Sequence, residues 1–388
     1  MIIDYKKELE TAAKNMILVH DTELLVNMTV NMIVEKAKVE HASILAYRIS
    51  EDNYVLNISR GSLSSRIPVG LASLDKENPL IIFFKQGHNE RLFKRPAVVY
   101  EELKNSLKKN NLPKEIKSLL RHVIYQMETF YAKVCVPISF RDELLGILLL
   151  GEKSGARKIN LSELEFFTAL ASYVSMAIKN AQLFKELEAE WEKKHQLFMR
   201  TTIALAAAIE AKDNYTHGHT TRVTTLSLLI AERLAERNKK EFNGKFLEDL
   251  QVASLLHDIG KIGIPEYILN KSGPLTEDER SMIKEHPLKG VAILKSIKEL
   301  EISILGVKYH HERYDGLGYP EGLKGEEIPM IASIISVADS YDAMTTNRPY
   351  RNRLSRGDAI EEMRYLIGKQ FHPRVTSALV ELSQEEKI

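Results

Sequence analysis

The strongest constraint on how this chain folds is the absence of glycine and proline between Gly155 and Gly218. Because these residues are the usual helix breakers, the stretch can form roughly 50 consecutive helical residues, about 75 Å at 1.5 Å per residue. Ser162 and Glu165, at its start, have the spacing of a capping box. We therefore expect a long helix that separates the 388 residues into two domains, each of about 150–200 residues.

The middle of this stretch carries an apolar stripe. Phe184, Leu187, Trp191 and Phe198 follow one another at the three-, four- and seven-residue spacings of a heptad seam, but Lys194 interrupts it. The stripe is typical of a parallel coiled coil of about two to three heptads. A helix packed on its own domain is the alternative.

The residues before the long helix indicate an α+β domain. Residues 20–40 place apolar side chains at helical spacing, whereas residues 67–129 are charged and are expected to be irregular. The strand-like segments are residues 43–49, 54–59, 133–139 and 144–150. Because short charged turns join them in pairs, we predict an antiparallel sheet with flanking helices.

The residues after position 200 are helical almost throughout, which predicts an all-α domain. Residues 246–261, 302–312 and 330–344 read as helices. Thr276 with Glu279 forms a capping-box string, and Ser355 is expected to cap a later helix.

The composition excludes several classes of function. The net charge is +1, which argues against a general nucleic-acid binder. Cys135 is the one cysteine, so an internal disulfide and a cysteine-based zinc site are both excluded. We expect Cys135 to be buried in a strand, with thiol sensing or ligation as the alternative.

Histidine and aspartate residues are the candidate metal ligands of the helical part. His257-Asp258 ends an apolar run, with Lys261 one turn later, and His310-His311 forms a second pair. Three further candidates are His219, His286 and the mid-helix Asp339. Imidazole and carboxylate ligands without sulfur suit iron, manganese, nickel or zinc. Two such ions about 3.5–4 Å apart, bridged by hydroxide, are the usual apparatus for phosphoester hydrolysis.

Five strings in this part, taken together, resemble the HD-GYP family. They are HDIGKIGIP (257–265), EHP (285–287), HHERYDGLGYP (310–320), ISVADSYDAMT (335–345) and RPYR (348–351). That family is a branch of the HD-superfamily metal phosphohydrolases that hydrolyse cyclic di-GMP. The resemblance covers about residues 200–380 and implies hydrolysis to the linear dinucleotide pGpG, with GMP as a further product.

The resemblance also implies a role for each site residue. One divalent metal, iron or manganese, would be held by His219, His257, Asp258 and Asp339. The second would share Asp258 and be held by His286, His310 and His311. Asp258 and Lys261 are the implied catalytic residues, and the implied substrate contacts are Lys261, Tyr319, Arg348 and Arg351. A rigid turn without ligand contact is the alternative for Tyr319 and its proline.

Two positions depart from the family pattern. Some members hold a third metal with a carboxylate four residues before the first histidine, where this chain has Tyr215. We therefore expect two metals. A third metal stays an alternative, because Glu210, Asp213 and His217 lie nearby in the sequence. His372 replaces the usual aspartate of a Phe-Asp-Pro string, which puts a capping role there in doubt. Asp315 is expected to orient the histidine pair.

The pattern of the N-terminal half resembles a GAF domain. We predict a GAF-like sensory domain over residues 1–183, a helical linker over 184–199 and an HD-GYP domain over 200–388. The resemblance implies an unidentified GAF ligand and a homodimer formed through the GAF domain and the linker.

No apolar run approaches the about 18 residues of a membrane span, and the first residues do not read as a signal peptide. We expect a cytoplasmic protein whose partner is cyclic di-GMP, with neither a membrane nor a nucleic-acid polymer as a partner. Two other functions stay open: a phosphodiesterase of another cyclic dinucleotide, and a non-catalytic sensor or docking protein.

Overall fold

The structure is a computed structural model that describes residues 9–10, 22–48, 50–61, 72–108, 112–155, 157–213, 218–347 and 353–388. The chain divides into two compact units, Met1–Trp191 and Glu192–Ile388. The first unit contains the sheet and the second is helical, which confirms the predicted fold class of an α+β domain followed by an all-α domain.

The first unit is built on a six-stranded antiparallel sheet of order β3-β2-β1-β6-β5-β4. The strands are β1 (His41–Arg48), β2 (Asn53–Gly61), β3 (Ser73–Leu74), β4 (Val98–Val99), β5 (Val134–Phe140) and β6 (Glu143–Leu150). The two predicted strand pairs thus form the centre of the sheet, where β1 pairs with β6.

Both faces of this sheet are buried. Successive residues of a strand point to opposite faces, so Leu148 joins one core while its neighbours Ile147 and Leu149 join the other. This double burial explains why β6 reads as a continuous apolar run. Cys135 lies on the second face with 1% exposure, as expected.

The helices of the first unit cover these faces. They are α1 (Thr22–Ala37), α2 (Pro79–Lys85), α3 (His88–Phe93), α4 (Tyr100–Leu107) and α5 (Lys114–Thr129). The expectation of an irregular segment over residues 67–129 was therefore wrong for its described part. Charged residues dominate the exposed sides of these short helices, while Phe83, Leu103 and Val123 form their buried sides.

The long helix α6 spans Leu161–Glu210, 50 residues. Its cap differs from the predicted Ser162–Glu165 pair: Asn160 Oδ1 accepts from the Glu163 N–H at 2.9 Å, and a Glu163 carboxylate oxygen accepts from the Asn160 N–H at 3.0 Å. One residue pair therefore satisfies two free donors at the helix start.

Among the described residues, α6 is the one helix long and apolar enough to cross a membrane by length and composition, with a window of mean hydropathy 1.2. That window is 56% buried inside the protein. Leu164, Phe167 and Leu170 of this helix belong to the core of the first unit, as in a core helix.

The second unit is built from helices. They are α7 (His219–Arg237), α8 (Gly244–Leu256), α9 (Glu266–Leu269), α10 (Glu277–Lys284), α11 (His286–Leu294), α12 (Glu301–Tyr309), α13 (Met330–Thr345), α14 (Arg356–Tyr365) and α15 (Pro373–Gln384). Thr276 and Glu279 form the predicted capping box, and Ser355 caps α14. The main core packs α7 against α13 and α15 through Val223, Ile335 and Leu379.

Candidate metal centre

The His257-Asp258 pair sits where helix α8 ends. The predicted helix over 246–261 stops at Leu256, and the chain tightens into a 3₁₀ helix, Ile259–Gly263. This turn packs against the start of α11, where only a glycine fits: a Cβ on Gly260 would lie 1.8 Å from the His286 carbonyl oxygen. The close approach places Asp258 beside His286.

The structure brings the predicted ligands into two groups. His219, His257 and Asp339 offer ligand atoms that all lie within 4.8 Å of one another. His286, His310 and His311 form a second group by the same measure. The residues come from separate elements: the start of α7, the end of α8, the middle of α13, the start of α11 and the end of α12.

Asp258 lies between the two groups. Its Oδ2 is 3.4 Å from His257 Nε2, and its Oδ1 is 3.3 Å from His286 Nε2. One carboxylate therefore directs an oxygen to each group, which is the geometry of a bridging ligand in a two-metal centre.

Hydrogen bonds to Nδ1 fix the orientation of the imidazoles. The Nδ1 atoms of His257, His286 and His310 lie 2.7, 2.7 and 2.8 Å from the backbone carbonyl three residues earlier in each case. A carbonyl only accepts, so Nδ1 carries the proton and Nε2 keeps its lone pair. This is the second hydrogen bond that metal-bound histidines normally make.

The free Nε2 atoms are the test of whether a metal fits. His257 Nε2 is buried without a hydrogen bond, since Asp258 lies outside bonding geometry. His286 Nε2 faces His310 Nε2 at 3.3 Å, and two lone pairs at this distance repel. One cation in each group would satisfy these atoms, His257 Nε2 in the first and the other two in the second, so the donor sets fit divalent metals.

The protonation states of the second group agree with this. Burial lowers the pKa of His311 to about 4, lowers that of His286, and holds that of His310 well below its usual range. Burial acts to raise the pKa of Asp258, but the charge of Lys261 and the neighbouring imidazoles of His257 and His286 outweigh it and hold that pKa well below its usual range. At neutral pH the group therefore consists of neutral imidazoles beside an ionised carboxylate.

His219 is oriented differently. Its Nδ1 donates to Asp342 Oδ2 at 2.7 Å, and its Nε2 lies 3.3 Å from Asp339 Oδ1. Burial acts to lower the pKa of His219, but the two carboxylates outweigh it and raise the pKa to about 10. A cation at the first group therefore competes with a proton on His219. The sequence pattern did not indicate this role for Asp342, although Asp342 lies three residues after Asp339 on the same helix face.

Tyr319 packs directly on the second group. Its ring stacks on the His311 imidazole with centroids 4.8 Å apart, and its N–H donates to the His311 carbonyl at 3.2 Å. The buried Glu312 holds the same loop, since its Oε1 accepts from the backbone N–H groups of Glu321 and Gly322 at 2.8 and 3.0 Å. The sequence pattern does not predict this role for Glu312, and its position directly after the histidine pair is the feature that could have indicated it.

Two expectations about neighbouring residues were wrong. Asp315 does not orient the histidine pair: it pairs with Arg313 at 2.7 Å and accepts from the Leu317 N–H, because the turn brings its own neighbours closest. His372 does cap a helix, since its Nδ1 accepts from the Arg374 N–H at the start of α15.

Several predicted residues cannot be placed. Arg348, Arg351, Tyr215 and His217 lie outside the described residues. Lys261 is described, and its Nζ lies 2.7 Å from Asp258 Oδ2, at the edge of the paired groups.

Comparison with known proteins agrees with the helical part of this description. The HD domain family matches residues 203–375. A curated "Cyclic di-GMP phosphodiesterase" of Thermotoga maritima is 39% identical over 218 residues, 55% of this chain and 57% of the relative. A "3'3'-cGAMP-specific phosphodiesterase 3" of Vibrio cholerae is 35% identical over 176 residues, 45% of this chain and 37% of the relative.

The chain thus spans about half the length, or less, of these curated relatives. A solved structure titled the GAF domain/HD domain protein from Geobacter sulfurreducens is 16% identical, with a TM-score of 0.29, and the match covers 42% of this chain and 95% of that one. Residues 203–375, which contain every residue of both histidine groups, therefore match the HD domain family.

Proposed function

We propose that this chain is a metal-dependent phosphodiesterase of cyclic dinucleotides, with cyclic di-GMP as its substrate. The observation that carries the proposal is Asp258, whose two oxygens face the two histidine groups at 3.4 and 3.3 Å. Asp258 would be shared by both metals. His219, His257 and Asp339 complete one ligand set, and His286, His310 and His311 complete the other.

The chemistry divides between the metals and the chain's own residues. Two divalent cations, iron or manganese, supply Lewis acidity and a water of lowered pKa when bound. The neutral imidazoles direct lone pairs inward and carry no charge of their own, while Asp258 and Asp339 provide the negative charge that a pair of cations needs. Lys261 places a further positive charge beside Asp258, where it can stabilise charge that develops on a phosphate oxygen.

Three further residues are proposed to contact the substrate. The Tyr319 ring covers the His311 side of the centre, and Arg348 and Arg351 suit the second phosphate or a guanine because guanidinium binds such groups with paired hydrogen bonds. The expected product is pGpG, and GMP would follow from a second cleavage.

Other cyclic dinucleotides remain the second candidate, since one curated relative is named for 3'3'-cGAMP. The test is a substrate panel of cyclic di-GMP, 3'3'-cGAMP and pGpG with protein loaded anaerobically with iron or with manganese. We expect turnover of cyclic di-GMP with the highest kcat/KM, and its loss in Asp258→Ala.

The matched control is Asp249→Asn, because Asp249 is a buried carboxylate of the same unit that pairs with Lys245 at 2.9 Å, away from both groups. It should retain metal and activity. Full hydrolysis by Asp258→Ala would refute the mechanism, while binding of cyclic di-GMP without turnover by the wild-type chain would identify a non-catalytic sensor.

We further propose the division into a GAF-type sensor (1–183), a linker (184–199) and an HD-GYP domain (200–388), in a cytoplasmic homodimer. Support for the dimer comes from α6, where Phe184, Leu187, Trp191 and Phe198 are 50%, 65%, 60% and 38% exposed. A second copy of the helix would cover this stripe.

Light scattering on the full chain and on Leu187→Lys tests the dimer. We expect a dimer that the substitution weakens, and a monomeric wild-type chain would overturn this part of the proposal. The unidentified sensor ligand is a separate question, which mass spectrometry of small molecules released from the purified chain addresses.

A further inference from the structure

Three residues at the end of α6 contact two of the segments that carry the candidate centre. Glu210 is the last residue of that helix, and Lys212 and Asp213 follow within one turn. We call Glu210, Lys212 and Asp213 the bracket. None of them belongs to the two proposed ligand sets, and each makes defined contacts to a segment that contains a member of one.

Glu210 holds the segment that carries His219. Its Oε2 accepts from the Gly218 N–H at 3.0 Å and its Oε1 from the Thr220 N–H at 2.6 Å. The first N–H groups of a helix have no partner within the helix, and a carboxylate also suits the positive end of the helix dipole. Glu210 therefore fixes α7 at the point where it presents His219.

Lys212 holds the turn after His257-Asp258. Its Nζ donates to the carbonyls of Ile262 and Ile264, both at 2.7 Å, and lies 3.3 Å from that of Lys261. The Lys261 carbonyl also accepts from the Ile264 N–H at 3.0 Å, so Lys212 matters most for the carbonyls of Ile262 and Ile264, which lie where the 3₁₀ helix ends. Lys212 is in turn fixed through its own carbonyl, which accepts from Asn270 Nδ2 at 3.0 Å.

Asp213 holds the side chain of Lys261. Its Oδ2 lies 3.0 Å from Lys261 Nζ, which also contacts Asp258 Oδ2 at 2.7 Å. Burial acts to lower the pKa of Lys261, but Asp258 and Asp213 outweigh it and raise that pKa. An ammonium has three N–H donors. The two carboxylates engage two of them, which leaves one directed away from both.

We infer that the bracket positions the reactive groups, and that Asp213 in particular is a positioning residue that aims the remaining N–H of Lys261 at the phosphate of the substrate. This inference rests on the proposed function. It also gives Glu210 and Asp213 a use other than holding a third metal, since both carboxylates are engaged by the chain itself.

A double-mutant cycle tests the role of Asp213 in catalysis. Asp213→Asn should lower kcat by roughly 10–100-fold, the range for residues that orient a reacting group, with little change in KM or metal content. Asp213→Asn in a Lys261→Met background should cause no further loss, because there is no ammonium left to aim. Asp213→Glu should recover part of the rate. Additive losses would overturn the inference, since a general structural defect acts with or without Lys261.

A second readout does not depend on activity. Lys261 in the wild-type chain is held between two carboxylates, so an amine-acylating reagent should label it slowly, as measured by peptide mass spectrometry. Asp213→Asn should increase the labelling several-fold, whereas Asp249→Asn should leave it unchanged. Equal labelling of Lys261 in wild type and Asp213→Asn would overturn the positioning role, even if the chain proved to hydrolyse no cyclic dinucleotide.

If Asp213→Asn does not fold, Lys212→Met supplies the same test from the backbone side. It removes the donor to the three carbonyls and should also increase labelling of Lys261. Unchanged labelling there would overturn the bracket as a positioning unit.

Discussion

Gly260 is the residue at which a single methyl group should separate the two halves of the candidate centre. A Cβ there would lie 1.8 Å from the His286 carbonyl oxygen, 2.6 Å from the Gly290 nitrogen and 2.7 Å from the His286 carbonyl carbon. All three atoms are backbone, so no side-chain rotation relieves the contact. In Gly260→Ala the 3₁₀ turn and α11 must therefore move apart.

The size of the movement follows from the contact itself. An ordinary Cβ contact starts at 3.4 Å, so the oxygen must retreat by about 1.6 Å, whereas metal–ligand distances tolerate only about 0.2 Å. Asp258 and His286, now 3.3 Å apart, lie on opposite sides of this gap. We expect loss of shared coordination, a metal affinity lower by at least about tenfold, and about 1–3 kcal/mol less stability from overpacking.

The assay is a graded series of glycine-to-alanine variants. At Gly263 the nearest atom to a new Cβ is Lys289 Cδ at 3.0 Å, the end of a flexible side chain, and at Gly244 nothing lies within 4 Å. Metal content after dialysis and urea unfolding should rank Gly244→Ala nearest the wild type, then Gly263→Ala, then Gly260→Ala. Retention of two tightly bound metals by Gly260→Ala would refute the reasoning.

Three other outcomes follow from the same geometry. Asp342→Asn should weaken metal binding by roughly 10–100-fold in calorimetry, because the carboxylate that orients His219 is lost; unchanged affinity would contradict the assigned orientation. Since the pKa of His219 is raised to about 10, the metal-free chain holds a proton there at neutral pH. Metal binding at pH 7 to 8 should therefore release about one proton, and affinity should rise with pH. Calorimetry in two buffers of different ionisation enthalpy measures this, and a release of zero would count against it. Burial raises the pKa of the Cys135 thiol, so a thiol reagent should modify it only after unfolding, and rapid modification of the native chain would restore the sensing alternative.

The fold could be predicted where burial, or a long uninterrupted helix, produces a clear pattern in the sequence. The unbroken apolar run of β6 and the stretch without glycine before Gly218 each allow essentially one structure. The short helices α2 to α4, of 6 to 8 residues, could not be predicted in the same way, because each has too few turns for a periodic pattern to emerge. Helix α5, of 16 residues, does bury Leu120, Val123, Ile124 and Met127 at helical spacing, and its many charged residues hid that pattern. The cap of α6 was misplaced by two residues because Asn160–Glu163 and Ser162–Glu165 offer the same spacing, and only packing decides between them.

The candidate centre could be predicted in its histidines and aspartates but not in the residues that hold them. His257-Asp258 and His310-His311 are recognisable as pairs because the two metal-ligating side chains of each pair are adjacent in the sequence. Glu210 and Lys212 make their contacts through backbone atoms of distant segments, and any sequence can supply a backbone carbonyl or N–H. Their role becomes visible only when the turns they bind are in place.

The orientation of the imidazoles nevertheless follows a simple rule of helix ends. His257 and His310 each follow the last residue of a helix, and His286 follows the end of α10. At that end the carbonyls have no helical partner, so each ring finds its acceptor three residues back in the backbone. His286 also begins a helix, α11, but it lies two residues after the end of α10 and reaches a carbonyl there; His219 begins α7, where the free groups are N–H donors and offer nothing to an Nδ1 proton. It therefore needs a carboxylate from another helix, and Asp342 provides it. On this argument, replacing Asp342 disturbs His219 alone, whereas the other three rings keep their orientation as long as their helices end where they do.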